Sequence, residues 1–124
     1  MLYLADLTEK IIGAAIEVHK ILGPGPLESA YQECLARELT LRKIPYAKEK
    51  NLPVTYKGIQ IDCGYRMDFV IDNQVIVELK AVEVVLPIHR AQLITYLKLT
   101  GCKVGLMINF NVQQLIKGID RLAN

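Results

Sequence analysis

Three charged residues, Asp68, Glu78 and Lys80, lie within or directly beside two strongly apolar segments of the chain, 69–71 and 75–77. The segments are rich in β-branched and aromatic residues and predict the two strands of a hairpin buried on both faces. Removing a charged side chain from water costs several kcal/mol unless it is paired or binds a metal ion. The trio therefore indicates a site with its own chemistry. The alternative is that Lys80 is a structural salt-bridge partner of one carboxylate.

The length of the turn decides whether Asp68 and Glu78 share one face of the sheet. A two-residue loop would set Asp68 opposite Leu79 and send Glu78 to the other face. A three-residue loop, 72–74, would set Asp68 opposite Glu78, so that the two carboxylates converge. We therefore predict an odd number of residues in the turn, or a bulge with the same effect.

Two convergent carboxylates with room for water are the hard-oxygen ligands that Mg²⁺ and Mn²⁺ prefer. Glu78 and Lys80 are two residues apart, so their side chains leave a strand on the same side. From there Lys80 could orient or help to deprotonate a metal-bound water, or could hold a phosphate oxygen.

Composition limits the classes of protein to which the chain could belong. At 124 residues, 52% of them hydrophobic, the chain is expected to form a single domain, 1–124, with a real core. The formal net charge of +2 gives no global electrostatic case for nucleic acid. Three scattered cysteines without C-x-x-C spacing predict free thiols, no zinc site and a cytoplasmic protein. No signal peptide and no membrane-spanning segment are expected.

The remaining segments predict the elements that must position the charged residues. Helical periodicity over 7–22 ends at a Gly-Pro-Gly-Pro elbow, and a second helix is expected from Pro26 to about Arg42. Further along the chain we predict strands at 52–56 and 59–61, the hairpin, a helix at 88–99 opened by Pro87, a buried strand at 103–110 and a last helix at 112–122. A strand, a helix and another strand in series indicate a crossover. The predicted fold is α/β, with a mixed sheet of four or five strands and helices on both faces.

Two sequence motifs resemble a known family. Asp68, followed after the hairpin by Glu78-Leu79-Lys80, is similar to the metal-binding core of the PD-(D/E)xK nuclease superfamily, with Met67 where the superfamily name has proline. The segment 25–31, G-P-L-E-S-A-Y, resembles the G-x-x-E-x-x-Y signature of a small prokaryotic branch, GxxExxY. The resemblance runs from His19 to residues 109–111. It implies a restriction-endonuclease-like core and a divalent-metal site.

The resemblance also implies roles for individual residues. It assigns Asp68 and Glu78 as metal ligands, Lys80 as the catalytic lysine and Glu28 as an additional carboxylate from a helix. We predict that Mg²⁺ or Mn²⁺ binds between Asp68, Glu78 and the backbone carbonyl of Leu79. Glu28 would contact the metal ion directly or through a water molecule. The alternative for Glu28 is a structural one, because a carboxylate in the first turn of a helix also favours the helix dipole.

Gln92 and Tyr96 match the Q-x-x-x-Y pattern that several nuclease branches place beside the metal. The two residues are four apart and therefore share a helix face. An amide and a phenol there suit hydrogen bonds to a phosphate or to metal-bound water. The alternative is that Tyr96 is a core residue with its hydroxyl at the rim.

The functional hypothesis is a metal-dependent nuclease acting on DNA or RNA. The alternatives are a catalytically silent nucleic-acid-binding or accessory subunit that keeps the fold, and a structural partner in another system. A local basic rim is expected from four residues: Arg66, His89, Arg90 and Lys98. With no Trp and two Phe, the sequence predicts no aromatic platform for stacking bases. Specificity would then come from a homo-oligomer or a partner protein.

Overall fold

The structure, a computed structural model, describes residues 4–124. In chain order its elements are α1 (Ala5–Leu22), α2 (Glu28–Leu41), β1 (Tyr46–Asn51), β2 (Val54–Tyr56), β3 (Ile59–Ile61), β4 (Arg66–Ile71), β5 (Val75–Lys80), α3 (Pro87–Thr100), β6 (Val104–Asn109), a 3-10 turn (Leu115–Gly118) and β7 (Ile119–Ala123). The three helices lie close to their predicted bounds. Pro26 lies just before α2 and is not its first residue, because Leu27 is the extended residue that precedes the helix.

Five of the strands form one mixed sheet in the order β1-β4-β5-β6-β7. The central pair, β5 and β6, is parallel, and the other neighbours are antiparallel. Helix α3 connects β5 to β6, which is the connection that a parallel pair requires. The predicted α/β fold with a crossover and a mixed sheet is confirmed.

Helices cover both faces of the sheet, so the hydrophobic core has two halves. On one face, Val75, Val77 and Leu79 of β5 pack in a cluster with residues of α1 and α2. On the other face, Ile76 packs in a second cluster with Leu93 and other residues of α3. Because side chains alternate along a strand, the even-numbered positions of β5 point toward the α3 side.

The helix predicted over 112–122 is wrong. In this segment the chain makes the 3-10 turn and then β7, which pairs antiparallel with β6 from Ile108–Ile119 to Val104–Ala123. The backbone groups on the free edge of β6 need hydrogen-bond partners, and pairing with them outweighs the weak local preference for a helix.

The strand predicted over 52–56 is also corrected. The observed strand is the shorter β2, which pairs with β3 in a separate two-stranded sheet. The strand at the β4 edge of the main sheet is β1, which the sequence did not predict. Its centre reads Lys-Glu-Lys, a composition that suits the exposed edge of a sheet and carries no alternating apolar signal.

Gly118 lies where the chain turns back toward β6, and this position tests the corrected C-terminal fold. A Cβ atom added there would clash with the carbonyl oxygen of Asn109, a backbone atom that cannot easily move. We expect Gly118→Ala to lower the free energy of unfolding by about 1–3 kcal/mol. Urea denaturation measures this change in the free energy of unfolding. Gly13→Ala is the control, because a methyl group added at Gly13 meets only the end of the flexible Arg42 side chain. Equal loss in both variants would contradict the tight contact.

Candidate active site

The turn between β4 and β5 contains three residues, 72–74. The backbone pairs are Ile71–Val75 and Phe69–Val77, so the prediction of an odd number of residues is confirmed. The backbone φ angle is 52° at Asp72 and 55° at the next residue, an asparagine. Asp and Asn tolerate this left-handed conformation better than other side chains, which explains why this sequence forms this turn.

At the far end of the hairpin, the carboxylates of Asp68 and Glu78 take the place of backbone pairing. The backbone N–H of Asp68 donates to Glu78 Oε2 at 2.7 Å, and the backbone N–H of Leu79 donates to Asp68 Oδ2 at 2.8 Å. These reciprocal bonds fix both carboxylates face to face between the strands. Since each bond uses one oxygen, the second oxygen of each carboxylate can serve a ligand.

A cavity of about 510 Å³ opens at this end of the hairpin. All six predicted site side chains line it: Glu28, Asp68, Glu78, Lys80, Gln92 and Tyr96. They come from α2, β4, β5 and α3, and the fold brings them together as expected. Leu79 differs, because its side chain lies in the core on the opposite face of the sheet and its contact with the site is made by its backbone N–H, which donates to Asp68.

The electrostatics of the cavity disfavour unpaired negative charge. The pKa of Glu78 is raised to about 8, first by burial and then by the nearby Asp68 carboxylate, although the backbone N–H of Asp68 and the charge of Lys80 partly offset both effects. Burial also raises the pKa of Asp68 and that of Glu28 above their ordinary values. Clustered carboxylates with raised pKa values are typical of sites that bind a cation or transfer protons.

The donor set fits Mg²⁺ or Mn²⁺ held by two carboxylates. Both ions prefer oxygen ligands and commonly retain several waters. Within residues 4–124, no group of three or more His, Cys, Asp or Glu side chains is arranged to hold a metal ion. Asp68 and Glu78 would therefore be the two carboxylates that hold the ion, with the Leu79 carbonyl, water and the substrate completing the coordination.

The raised pKa of Glu78 predicts a pH-dependent effect of Glu78→Gln in EDTA. The folded-state pKa, about 8, lies above the ordinary 4.5. The charged Glu78 carboxylate therefore does not destabilise the folded protein below pH 4.5. Its destabilising effect grows between pH 4.5 and about pH 8 and is complete at higher pH. Glutamine removes that charge and can still accept the Asp68 N–H bond. We expect the variant to be more stable by roughly 3–5 kcal/mol near pH 9 and by almost nothing near pH 4.

Thermal and urea melts at both pH values measure this difference. Glu83→Gln is the matched control, because Glu83 is exposed. A Glu78→Gln protein that is less stable at every pH would contradict the electrostatic account and favour a structural role for the carboxylate.

Lys80 reaches the cavity from the last position of β5, with its side chain half-buried. In the part of the chain that the structure describes, 4–124, it takes part in no ion pair. Its charge still lowers the pKa values of Asp68 and Glu78. The geometry thus places a cation near both carboxylates without the close salt bridge of the structural alternative.

Asn109 fixes the chain that follows Lys80, and sequence reasoning missed this. Its buried amide donates from Nδ2 to the Val82 carbonyl at 2.8 Å and accepts the Val82 N–H at 3.1 Å. Next to it, the N–H of Phe110 donates to the Lys80 carbonyl at 2.9 Å. A polar residue at the end of the apolar strand β6 was the signal that could have identified it.

Glu28 is held at the cavity by the elbow that precedes α2. Tyr31 is fully buried, stacks on Phe110 with ring centroids 4.3 Å apart and donates its hydroxyl to the Gly23 carbonyl. Gly25 adopts a φ of +118°, a conformation that side-chain-bearing residues rarely adopt. The tyrosine therefore fixes the elbow, and the elbow presents Glu28, the first residue of α2, to the cavity.

Tyr96 belongs both to the core and to the site. Its side chain is buried in the α3 cluster, in agreement with the structural alternative. Its hydroxyl nevertheless lies close enough to the site that its pKa is raised, first by burial and then by the charges of Glu78 and Asp68. Gln92 lies one helical turn earlier, is exposed and lines the cavity.

The predicted basic rim is only partly present at the cavity. Arg66 lines it, whereas Arg90 forms an ion pair with Asp120 at 2.7 Å. His89 accepts a backbone N–H at the start of α3, and Lys98 is exposed in the last turn of the same helix. Arg66 is therefore the member of this group best placed to contact a phosphate.

The mixed five-stranded sheet with helices on both faces is consistent with a restriction-endonuclease-like fold, and the paired carboxylates and the lysine lie at the end of its central hairpin. A sequence profile described as PD-(D/E)XK nuclease superfamily matches residues 5–122. The chain belongs to this superfamily. No curated protein and no solved structure matches it. Across residues 4–124, no helix has the length and apolar character needed to span a membrane.

Proposed function

We propose that the protein is a Mg²⁺- or Mn²⁺-dependent nuclease that hydrolyses phosphodiester bonds of DNA or RNA in the cavity around Asp68, Glu78 and Lys80. The observation that carries this proposal is the pair of carboxylates, fixed face to face by two backbone hydrogen bonds beside a lysine that takes part in no ion pair among residues 4–124. Membership of the nuclease superfamily supports the reaction class.

In this proposal each side chain has one task. The bound ion would supply Lewis-acid stabilisation of the charge that develops on the phosphate. Asp68 and Glu78 would hold that ion, together with the Leu79 carbonyl, and the backbone hydrogen bonds of the two carboxylates keep them from rotating away. Lys80, as an ammonium group, donates to the attacking water, which it orients and makes easier to deprotonate, or holds a non-bridging phosphate oxygen. Glu28 binds and orients a water on the α2 side of the cavity.

Gln92 and Tyr96 position the substrate. Gln92 offers both a donor and an acceptor, and the Tyr96 hydroxyl can donate to a phosphate oxygen. Because the core holds the Tyr96 ring, its hydroxyl is oriented before the substrate arrives, which lowers the cost of binding in the reactive geometry. Arg66 would contact a neighbouring phosphate.

The G-x-x-E-x-x-Y segment supports a narrower assignment, to the GxxExxY branch. Tyr31 fixes the elbow and Glu28 lines the cavity, so both named positions of the signature have a physical role. We further propose a cytoplasmic location, in keeping with three free thiols: Cys34, Cys63 and Cys102. Sequence specificity would come from a second copy or from a partner protein.

Incubation of the pure protein with supercoiled plasmid, single-stranded DNA and RNA tests the proposal. We expect cleavage of at least one substrate with Mg²⁺ or Mn²⁺ and none with EDTA. Asp68→Asn protein, purified in the same way, controls for contaminating nucleases. Absence of cleavage of all three substrates, or equal cleavage by the variant, would contradict the proposal. Binding without cleavage would favour the silent accessory subunit.

A further inference from the structure

A second recess opens beside the cavity, in the groove between Tyr65 and the solvent-facing side of α3. It has a volume of about 270 Å³ and is lined by Tyr65, Ile88, Ala91, Gln92 and Thr95. Two of these residues, Tyr65 and Gln92, also line the active-site cavity. The two spaces are therefore neighbours, and a molecule in the cavity can extend into the groove.

The chemistry of the groove differs from that of the cavity. Its lining residues carry one aromatic ring, aliphatic groups, an amide and a hydroxyl, and none of these five residues is charged. The Arg66 and Lys80 side chains belong to the neighbouring cavity. A phosphate in the groove would lose water without gaining a countercharge, which is unfavourable. A flat, uncharged heterocycle would instead gain stacking contacts and hydrogen bonds.

The walls of the groove have the shape that a flat ring requires. Ile88, Ala91, Gln92 and Thr95 are spaced by three, four and seven positions and so share one face of α3. The small Ala91 leaves space at the centre of this face. The opposite wall is the ring of Tyr65, held edge to face on the buried ring of Tyr96 at 5.6 Å.

Tyr65 is thus an aromatic surface beside the reaction site, of the kind that the sequence did not predict. Its ring is partly exposed, and Ile88 across the groove is 67% exposed. Gln92 can both donate to and accept from the edge of a base. Thr95 donates its hydroxyl to the Ala91 carbonyl at 3.1 Å, which leaves the hydroxyl oxygen as an acceptor.

We propose that this groove binds an unpaired nucleobase next to the scissile phosphodiester, and that the substrate class is therefore single-stranded nucleic acid. The proposal rests on the proposed nuclease function, since it concerns the same site. A base inside a duplex is stacked on both faces and paired along its edge, so it cannot enter the groove without leaving the helix. A base in a single strand can enter freely and stack on Tyr65.

Binding of fluorescent oligonucleotides tests the proposal without requiring cleavage. Anisotropy is measured at one fixed salt concentration with Mn²⁺, in the Lys80→Ala background so that the strand stays intact. We expect tighter binding of the single strand than of the duplex of the same sequence. Ala91→Leu, which fills the groove, should weaken single-strand binding by about five- to a hundred-fold. Ala91→Ser adds little volume and should leave it unchanged.

Tyr65 provides a second pair of variants. Tyr65→Phe keeps the ring and should bind as tightly as the parent protein, whereas Tyr65→Leu should lose affinity to about the same extent as Ala91→Leu. Thermal melts of all four variants exclude global unfolding as the cause. Equal affinity for single strand and duplex, or unchanged binding by Ala91→Leu and Tyr65→Leu, would overturn the proposal.

An oligonucleotide with one abasic position, moved along the strand, locates the bound base. At one position the missing base should weaken binding to the parent protein, and at that position it should have no further effect on Ala91→Leu, because the two changes remove the same contact. An abasic effect of equal size in both proteins would place the base elsewhere. Absence of cleavage contradicts the proposed nuclease function. The binding measurements contradict only the proposal that the groove holds a base, so the two failures can be told apart.

Discussion

Lys80→Ala is expected to lower the rate of phosphodiester cleavage by about two to four orders of magnitude, the usual loss when one positioned electrostatic or proton-transfer group is removed. The amine lines the cavity and takes part in no ion pair within residues 4–124, so its charge acts on the contents of the cavity. Fold and metal affinity should persist, because the ligands Asp68 and Glu78 remain. Single-turnover cleavage with saturating Mn²⁺ measures the loss.

Lys103→Ala is the matched control for this variant. Lys103 is exposed and directly precedes β6. The pairing of Lys80 with Asn109 and of Val75 with Val104 places Lys103 at the opposite end of the sheet. The catalytic assignment would be contradicted if Lys80→Ala kept its turnover. A loss of roughly 3–5 kcal/mol in stability would instead identify the lysine as one arm of a buried ion pair.

Asp68→Asn is expected to reduce cleavage about a thousand-fold or more. A bound metal ion contributes several kcal/mol of transition-state stabilisation, and a neutral amide holds the ion poorly. The asparagine carbonyl can still accept the Leu79 N–H, so the hairpin should survive. The apo variant should be no less stable than the wild type, because the charge that raises the pKa of Glu78 has been removed.

Asp72→Asn is the control for the second variant. Asp72 lies in the same hairpin, but in the exposed turn at the other end, where an asparagine fits the left-handed backbone equally well. Cleavage assays and thermal melts in EDTA compare the two proteins. Full activity of Asp68→Asn would show that the Asp68 carboxylate takes no part in the reaction. Strong destabilisation of the variant would show that the charge of Asp68 has a structural role.

Local signals in the sequence were sufficient to predict the centre of the fold. The β4–β5 hairpin is specified by its turn residues and its apolar strands, and the helices by periodic apolar positions and by Gly and Pro at their ends. The edge strands β1 and β7 were missed for one physical reason. Each is stabilised by pairing with a strand to which no short hairpin turn connects it, β4 or β6, and neither carries a strong strand pattern of its own.

The site was predictable to a similar extent. The spacing of Asp68, Glu78 and Lys80 predicted their common face, because hairpin register is a local property. The roles of Asn109 and Tyr65 depend on contacts across the fold, with Asn109 separated from its partner Val82 by 27 residues. Such roles follow from the tertiary structure, and no spacing rule in the sequence reveals them.

Calorimetric titration of Mn²⁺ into wild type and Asp68→Asn is the most direct test of the central claim, that the paired carboxylates form a divalent-metal site. The wild type is expected to bind the ion at a single site, with protons released because the pKa of Glu78 is about 8 before binding. The variant should bind at least ten-fold more weakly, roughly the effect of losing one ligand charge. Equal Mn²⁺ affinity in the two proteins, or no binding to either, would contradict the account.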